Sequence, residues 1–203
     1  MLDGVMRRLI DPPLNRMARI VARTRVSANA LTVAAVPFAI GAAVAIAAQR
    51  YGLALVLMAV NRVLDGLDGA MARIRGSTDF GGYLDIVCDF IFYAAIPVGF
   101  GFAAARNLQP ALVLLAAFIG AGTSFLAFAV IAAKRGMQTQ AQGAKSFYYA
   151  AGLAEGTETI AAFVLACLWP AAFPQIAYVY AGVCAVTVVG RIMLARRSFA
   201  GRS

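Results

Sequence analysis

Long stretches of this chain carry no charge at all. Residues 28–48, 107–133 and 159–190 contain no Asp, Glu, Lys or Arg. Runs of that length match the hydrocarbon thickness of a bilayer when helical, since a spanning helix needs about 20 apolar residues. Backbone groups in lipid must also be paired within the segment, which helices do. The 203 residues are 62% hydrophobic and 13% charged, with a mean hydropathy of +0.80, so a soluble domain is excluded. The expected fold is an all-α integral membrane protein: six transmembrane helices preceded by an N-terminal amphipathic surface helix.

The boundaries follow from polar punctuation. Residues 1–26 interleave Arg7, Arg8, Arg16, Arg19, Arg23 and Arg25 with Leu2, Val5, Met6, Leu9, Ile10, Leu14, Met17, Ile20 and Val21. That pattern describes a basic helix lying on the membrane, interrupted near Pro12 and Pro13. Residues 27–203 are expected to form a six-helix transmembrane unit. The first span opens at Ser27 or Asn29 as cap and runs to about Ala48. The second covers about 52–73, and residues 74–80 form a loop. The third and fourth cover about 81–105 and 109–133. A polar loop follows, from Lys134 to Ala144. The fifth span begins between Lys145 and Glu155 and ends near Leu168. After an interfacial turn at Trp169–Pro170 and Phe173–Pro174, the sixth runs from about 175 to 194.

The charges then orient the chain. One side receives the six N-terminal arginines, Arg73, Arg75, Lys134, Arg135, Lys145, Arg191, Arg196, Arg197 and Arg202. The other receives Arg50 and Arg106. The positive-inside rule puts the richer side in the cytoplasm. The expected location is a bacterial inner membrane, with both termini cytoplasmic. The net charge of +9 fits contact with anionic lipid headgroups. The aromatic and basic interleaving of a nucleic-acid surface is absent. Cys88, Cys167 and Cys184 lie at irregular spacing in apolar stretches and read as buried thiols. There is no histidine, which removes the commonest general base and zinc ligand.

Against this background the acidic residues stand out. Four of the nine, Asp65, Asp68, Asp85 and Asp89, fall within 25 residues. Carboxylates in an intramembrane setting are costly and are retained for function. Asp65 and Asp68 are three apart; Asp85 and Asp89 are four apart. On helices each pair shares one face. Two such pairs on neighbouring helices make a cage of hard oxygen ligands suited to Mg²⁺ or Mn²⁺ beside a phosphate-bearing substrate. Left without cations, the four would repel one another. Gly66 and Gly69 on the second helix and Gly81 and Gly82 on the third suit close helix packing, a ligand lying against the helix face, or both.

The run Asp65-Gly66-x-Asp68-Gly69-x-x-Ala72-Arg73, seven residues, Gly81-x-x-x-Asp85-x-x-x-Asp89 resembles the signature of the CDP-alcohol phosphotransferase family. Ser27-Ala28-Asn29-Ala30-Leu31-Thr32 resembles that family's weaker P-N-x-x-T element, with alanine in place of proline. The resemblance implies transfer of a phosphatidyl or substituted phosphoryl group from a CDP-linked donor, CDP-diacylglycerol for choice, to an alcohol acceptor with release of CMP. It implies two Mg²⁺ or Mn²⁺ ions held by Asp65, Asp68, Asp85 and Asp89, with Asp89 also the base that takes the acceptor proton. Asn29, Thr32, Asp65, Gly66, Asp68, Gly69, Arg73 and Gly81 are then expected at the CDP group, and a homodimer in the membrane. Lys145, Glu155, Glu158 and Arg191 are candidates for the acceptor. For Lys145 and Arg191 the alternative is a positive-inside anchor, and for the two glutamates it is structural ion pairing. A rival reading is a divalent metal-ion transporter or channel; against it, the acids gather at one face with no second ring across the membrane.

Overall fold

The computed structural model describes residues 3–136 and 156–199, with side chains from residue 10 onward. Among these residues every regular element is helical. In chain order they are α1 (Asp3–Val21), α2 (Ala28–Ala47), α3 (Tyr51–Arg75), α4 (Asp79–Ala103), α5 (Ala105–Lys134), α6 (Gly156–Leu168), a short 3-10 turn (Pro170–Ala172) and α7 (Phe173–Phe199). Four stretches are long and apolar enough to cross a bilayer: α2, α4, α5, and α7 with its preceding turn. This is an integral membrane protein. α3 has the length but carries polar residues in its C-terminal half, and the described part of α6 is shorter.

Local chemistry sets the helix starts. Ser27 caps α2, its hydroxyl accepting from the Ala30 N–H at 3.1 Å. Thr78 caps α4 in the same way, accepting from the Gly81 N–H at 3.0 Å. α4 therefore begins two residues before the expected Gly81. Only Gly76 to Thr78 separate it from α3, and Gly76 turns the chain at φ +98°, a conformation that suits glycine.

α1 departs from expectation. It is one helix through Pro12 and Pro13, not two pieces. Both rings are exposed, so the carbonyls they leave unpaired can meet solvent. The turns beyond them are held by packing: Leu14 and Ala18 are buried against Leu67, Ala70 and Met71 of α3. Arg75 fastens the end of α1 from below. Its guanidinium donates to the carbonyls of Ala22, Thr24 and Val26 at 2.8, 2.6 and 2.5 Å.

α2 organises the rest. Its small residues Ala35, Ala39, Ala42 and Ala45 are buried at helical spacing. Both α3 and α4 pack principally on α2 rather than on each other. At Gly99 the approach of α4 leaves no room: a Cβ there would lie 2.5 Å from the Ala43 carbonyl oxygen. α5 joins α4 to α7 on the other flank. Phe92, Phe100, Phe163 and Phe173 fill the centre, fully enclosed, and Phe100 and Phe173 stack at 4.2 Å. Far from the α3–α4 turn, Gln49 donates to the Ala103 carbonyl at 2.9 Å and ties off the opposite ends of α2 and α4.

Candidate metal and nucleotide site

α3 and α4 both pack on α2, and this brings acidic residues from the last third of α3 and the first turns of α4 together. One oxygen each of Asp65, Asp68 and Asp85 lies within 4.8 Å of the others. Three oxygens sharing one divalent ion at about 2.1 Å lie no more than about 3.6 Å apart, so this trio would draw inward on a bound ion, with other oxygen ligands completing the shell. Asp68 is 4% exposed, and its Oδ2 has no hydrogen-bond partner. A buried carboxylate oxygen without a partner is costly unless a cation meets it. The donor set is all oxygen and anionic, which suits Mg²⁺ or Mn²⁺ and not a soft metal.

Asp89 sits differently. Its Oδ1 accepts from Arg62 at 2.9 Å, and Arg62 also reaches Asp65 Oδ2 at 3.4 Å. Of the four carboxylates expected to form one cage, three lie together and the fourth, Asp89, is engaged by an arginine one turn before the motif. Arg62 is in turn placed by Asn61, whose Oδ1 accepts from its Nε at 2.8 Å. Asn61 is buried, and its Nδ2 donates to the Ala35 carbonyl of α2 at 2.8 Å. The guanidinium carbon stands 4.1 Å above the Phe92 ring. The spacing of Arg62 and Asp65, three apart on one helix, was the available sign of this contact.

The start of α2 contributes next. Thr32 is buried beside Asp68, with its hydroxyl donating to the Ala28 carbonyl at 3.2 Å. The Asn29 side chain lies against Gly81: a Cβ on that glycine would stand 3.0 Å from Asn29 Oδ1. Both residues of the weaker element thus reach the signature, one on α3 and one on α4.

Gly66 faces α1, where a Cβ would meet Leu14 Cδ1 at 2.6 Å, so its missing side chain accommodates helix packing. Gly69 keeps an open face, with Arg73 Nη1 the nearest group at 3.7 Å from a Cβ. Arg73 is exposed and donates to Asn15 Oδ1 of α1 at 3.5 Å. Sequence spacing could not show α1 folding back on this helix. Of the acceptor candidates, Arg191 on α7 donates to the Ala121 carbonyl at 2.8 Å and to Ser124 Oγ at 3.4 Å, both on α5. Glu158 is half-buried in the first turn of α6. Lys145 and Glu155 lie outside the described residues.

The model of the CDP-alcohol phosphatidyltransferase domain matches residues 25–192, nearly all of the chain beyond α1. The chain belongs to the CDP-alcohol phosphatidyltransferase family. Within this family, the Inner membrane protein YnjF of Escherichia coli (strain K12) is 47% identical over 197 residues, covering 95% of this chain and 94% of its own. An archaetidylinositol phosphate synthase of Pyrococcus horikoshii is 34% identical over 91 residues, 44% of this chain and 48% of that one. The fold is shared with phosphatidylinositol phosphate synthase PgsA1 of Mycobacterium tuberculosis at 22% identity. The TM-score is 0.66 to its form with CDP-DAG bound, covering 90% of this chain and 93% of that one. It is 0.69 to its complex with manganese and citrate, covering 89% and 87%.

Proposed function

We propose that this protein transfers a phosphatidyl group from CDP-diacylglycerol to an alcohol, releasing CMP, with Mg²⁺ or Mn²⁺ held by Asp65, Asp68 and Asp85. The observation that carries this reading is the trio of oxygens within 4.8 Å of one another, one of its residues bearing a buried oxygen with no partner. The setting is a bacterial inner membrane, with six spans and α1 on the cytoplasmic surface. Here α3 and α6 are the two further spans, which length and apolarity alone do not mark. Residues 1–26 are the surface element and residues 27–203 the catalytic unit, acting as a homodimer.

The reaction forms a bond between the acceptor oxygen and the phosphorus next to the lipid glycerol. It breaks the bond from that phosphorus to the oxygen leaving with CMP. A bound divalent ion would neutralise charge growing on the diphosphate oxygens. The chain's own groups do the rest. Asp65, Asp68 and Asp85 orient the donor through that charge. Asn29 and Thr32 approach the aspartates from α2, Gly69 offers an open face for the nucleotide, and Gly81 serves the same group by admitting the Asn29 side chain. Asp89 takes the proton of the acceptor hydroxyl. A carboxylate is a weak base, but a proton transfer late in the reaction relaxes that demand. Arg73, being exposed beside α1, is suited to a phosphate of the incoming donor, and Gly66 contributes through the packing of α1. Lys145, Glu155, Glu158 and Arg191 form the acceptor side.

The test is an acceptor screen with purified protein, CDP-diacylglycerol and either ion. The panel is serine, glycerol 3-phosphate, inositol phosphate, choline and phosphatidylglycerol, read as CMP and lipid product. The reading requires metal-dependent CMP release with one of these. Metal flux into liposomes without CMP release would replace it with transport. Asp89→Asn should retain donor binding and lose turnover; normal turnover would remove Asp89 from the role of base.

A further inference from the structure

Arg62 lies outside the aspartate and glycine pattern, yet the site is built around it. Its side chain is 16% exposed and is held from three directions. Asn61 receives its Nε, the enclosed Phe92 ring lies beneath its guanidinium, and Asp89 and Asp65 accept from its Nη1. Asn61 is itself anchored on the α2 backbone, so the arginine keeps a partner at Nε whichever oxygens its Nη1 meets. Asp65 belongs to two groups at once: the trio with Asp68 and Asp85, and the ion pair with Arg62. Any second divalent ion using Asp65 and Asp89 needs oxygens on which the guanidinium now sits.

We propose that Arg62 is a resident counter-cation that keeps a second divalent ion out of the Asp65–Asp89 half of the site until an anionic substrate draws the guanidinium away. This deepens the metal-dependent reading above and rests on it. Without substrate the protein takes one ion, at Asp65, Asp68 and Asp85. The diphosphate of a CDP-linked donor offers oxygens that accept a guanidinium well. Once Arg62 turns to them, the Asp65–Asp89 pair is left with negative charge and room for the second ion. Arg62 acts here as a positioning residue: it couples donor binding to assembly of the complete centre.

The experiment counts Mn²⁺ on the purified, detergent-solubilised protein by calorimetry and electron paramagnetic resonance. Two ions about 4 Å apart couple magnetically and one alone does not, so the spectrum separates the states. The wild type should bind one ion without substrate and two with CDP-diacylglycerol. Arg62→Gln should bind two in either condition, the second at least about tenfold more tightly than the substrate-free wild type binds one there, because no buried cation opposes it. Arg62→Lys, which restores a positive charge, should return to one. A substrate-free wild type with two coupled ions overturns the proposal, and so does Arg62→Gln that stays at one. The wild-type count decides the matter alone if the variants do not fold. Absence of bound Mn²⁺ in every protein and condition would sink the metal centre itself, a result distinguishable from failure of the Arg62 role alone.

Discussion

The two ends of α2 face opposite kinds of interior. Beyond Ala39 its small residues meet aromatic rings and the close backbone of Gly99, and the space is filled mainly by apolar contact, with Gln49 bonding the Ala103 carbonyl at its end. At Thr32 and Ala35 it meets Asn61, Arg62 and Asp68, held by a few directed bonds, with one buried oxygen left over. The first region sets where α3 and α4 stand. The second uses that placement to hold like charges together, an arrangement that costs stability unless a cation arrives. Changes in the two regions should therefore separate: one group lowers stability and spares chemistry, the other does the reverse.

Asp68→Asn should break the comparison most sharply. Metal-dependent CMP release is expected to fall by on the order of 10²–10³-fold, as for loss of one electrostatic stabiliser of a transition state. The thermal midpoint in detergent should hold or rise, because a buried charge is removed without changing shape. A fall in midpoint together with normal release would reverse the assignment of the two ends. Phe100→Ala should do the opposite. It opens a cavity beside Phe173 and costs about 3 kcal/mol, the low end for such a change because lipid and not water is the alternative surrounding. Its affinity for Mn²⁺, measured on the fraction still folded, should stay near that of the wild type. Thr78→Ala is the mildest. Loss of the α4 cap should cost about 1 kcal/mol. Since Asp85 lies on the second turn of that helix, KM for the donor should move before kcat does, if the cap matters to the site.

Much of this division is legible in the residues themselves. The three-residue spacing of Asp65 and Asp68 puts both on one helix face because helix periodicity is local and reliable. Ser27 declares a helix start for the same reason. What escapes is whatever depends on segments far apart in the chain. Nothing near Gly66 says that Leu14 will fill its open face, and nothing near Arg73 names Asn15 as its partner. The continuity of α1 through two prolines is decided by α3, more than forty residues on. Arg62 is the instructive case. Its distance from Asp65 could be read directly, but its grip on Asp89 depends on how α4 lies against α2. The sharing of one helix face by Asp65 and Asp68 follows from local periodicity, while their meeting with Asp85, and the capture of Asp89 by Arg62, follow from the fold.

The most direct test is anomalous diffraction from crystals of the protein soaked in Mn²⁺. A peak bonded to Asp65, Asp68 and Asp85, and to the otherwise partnerless Asp68 Oδ2, is the predicted result. No peak among these three at millimolar Mn²⁺, or peaks only at other carboxylates, would contradict the account.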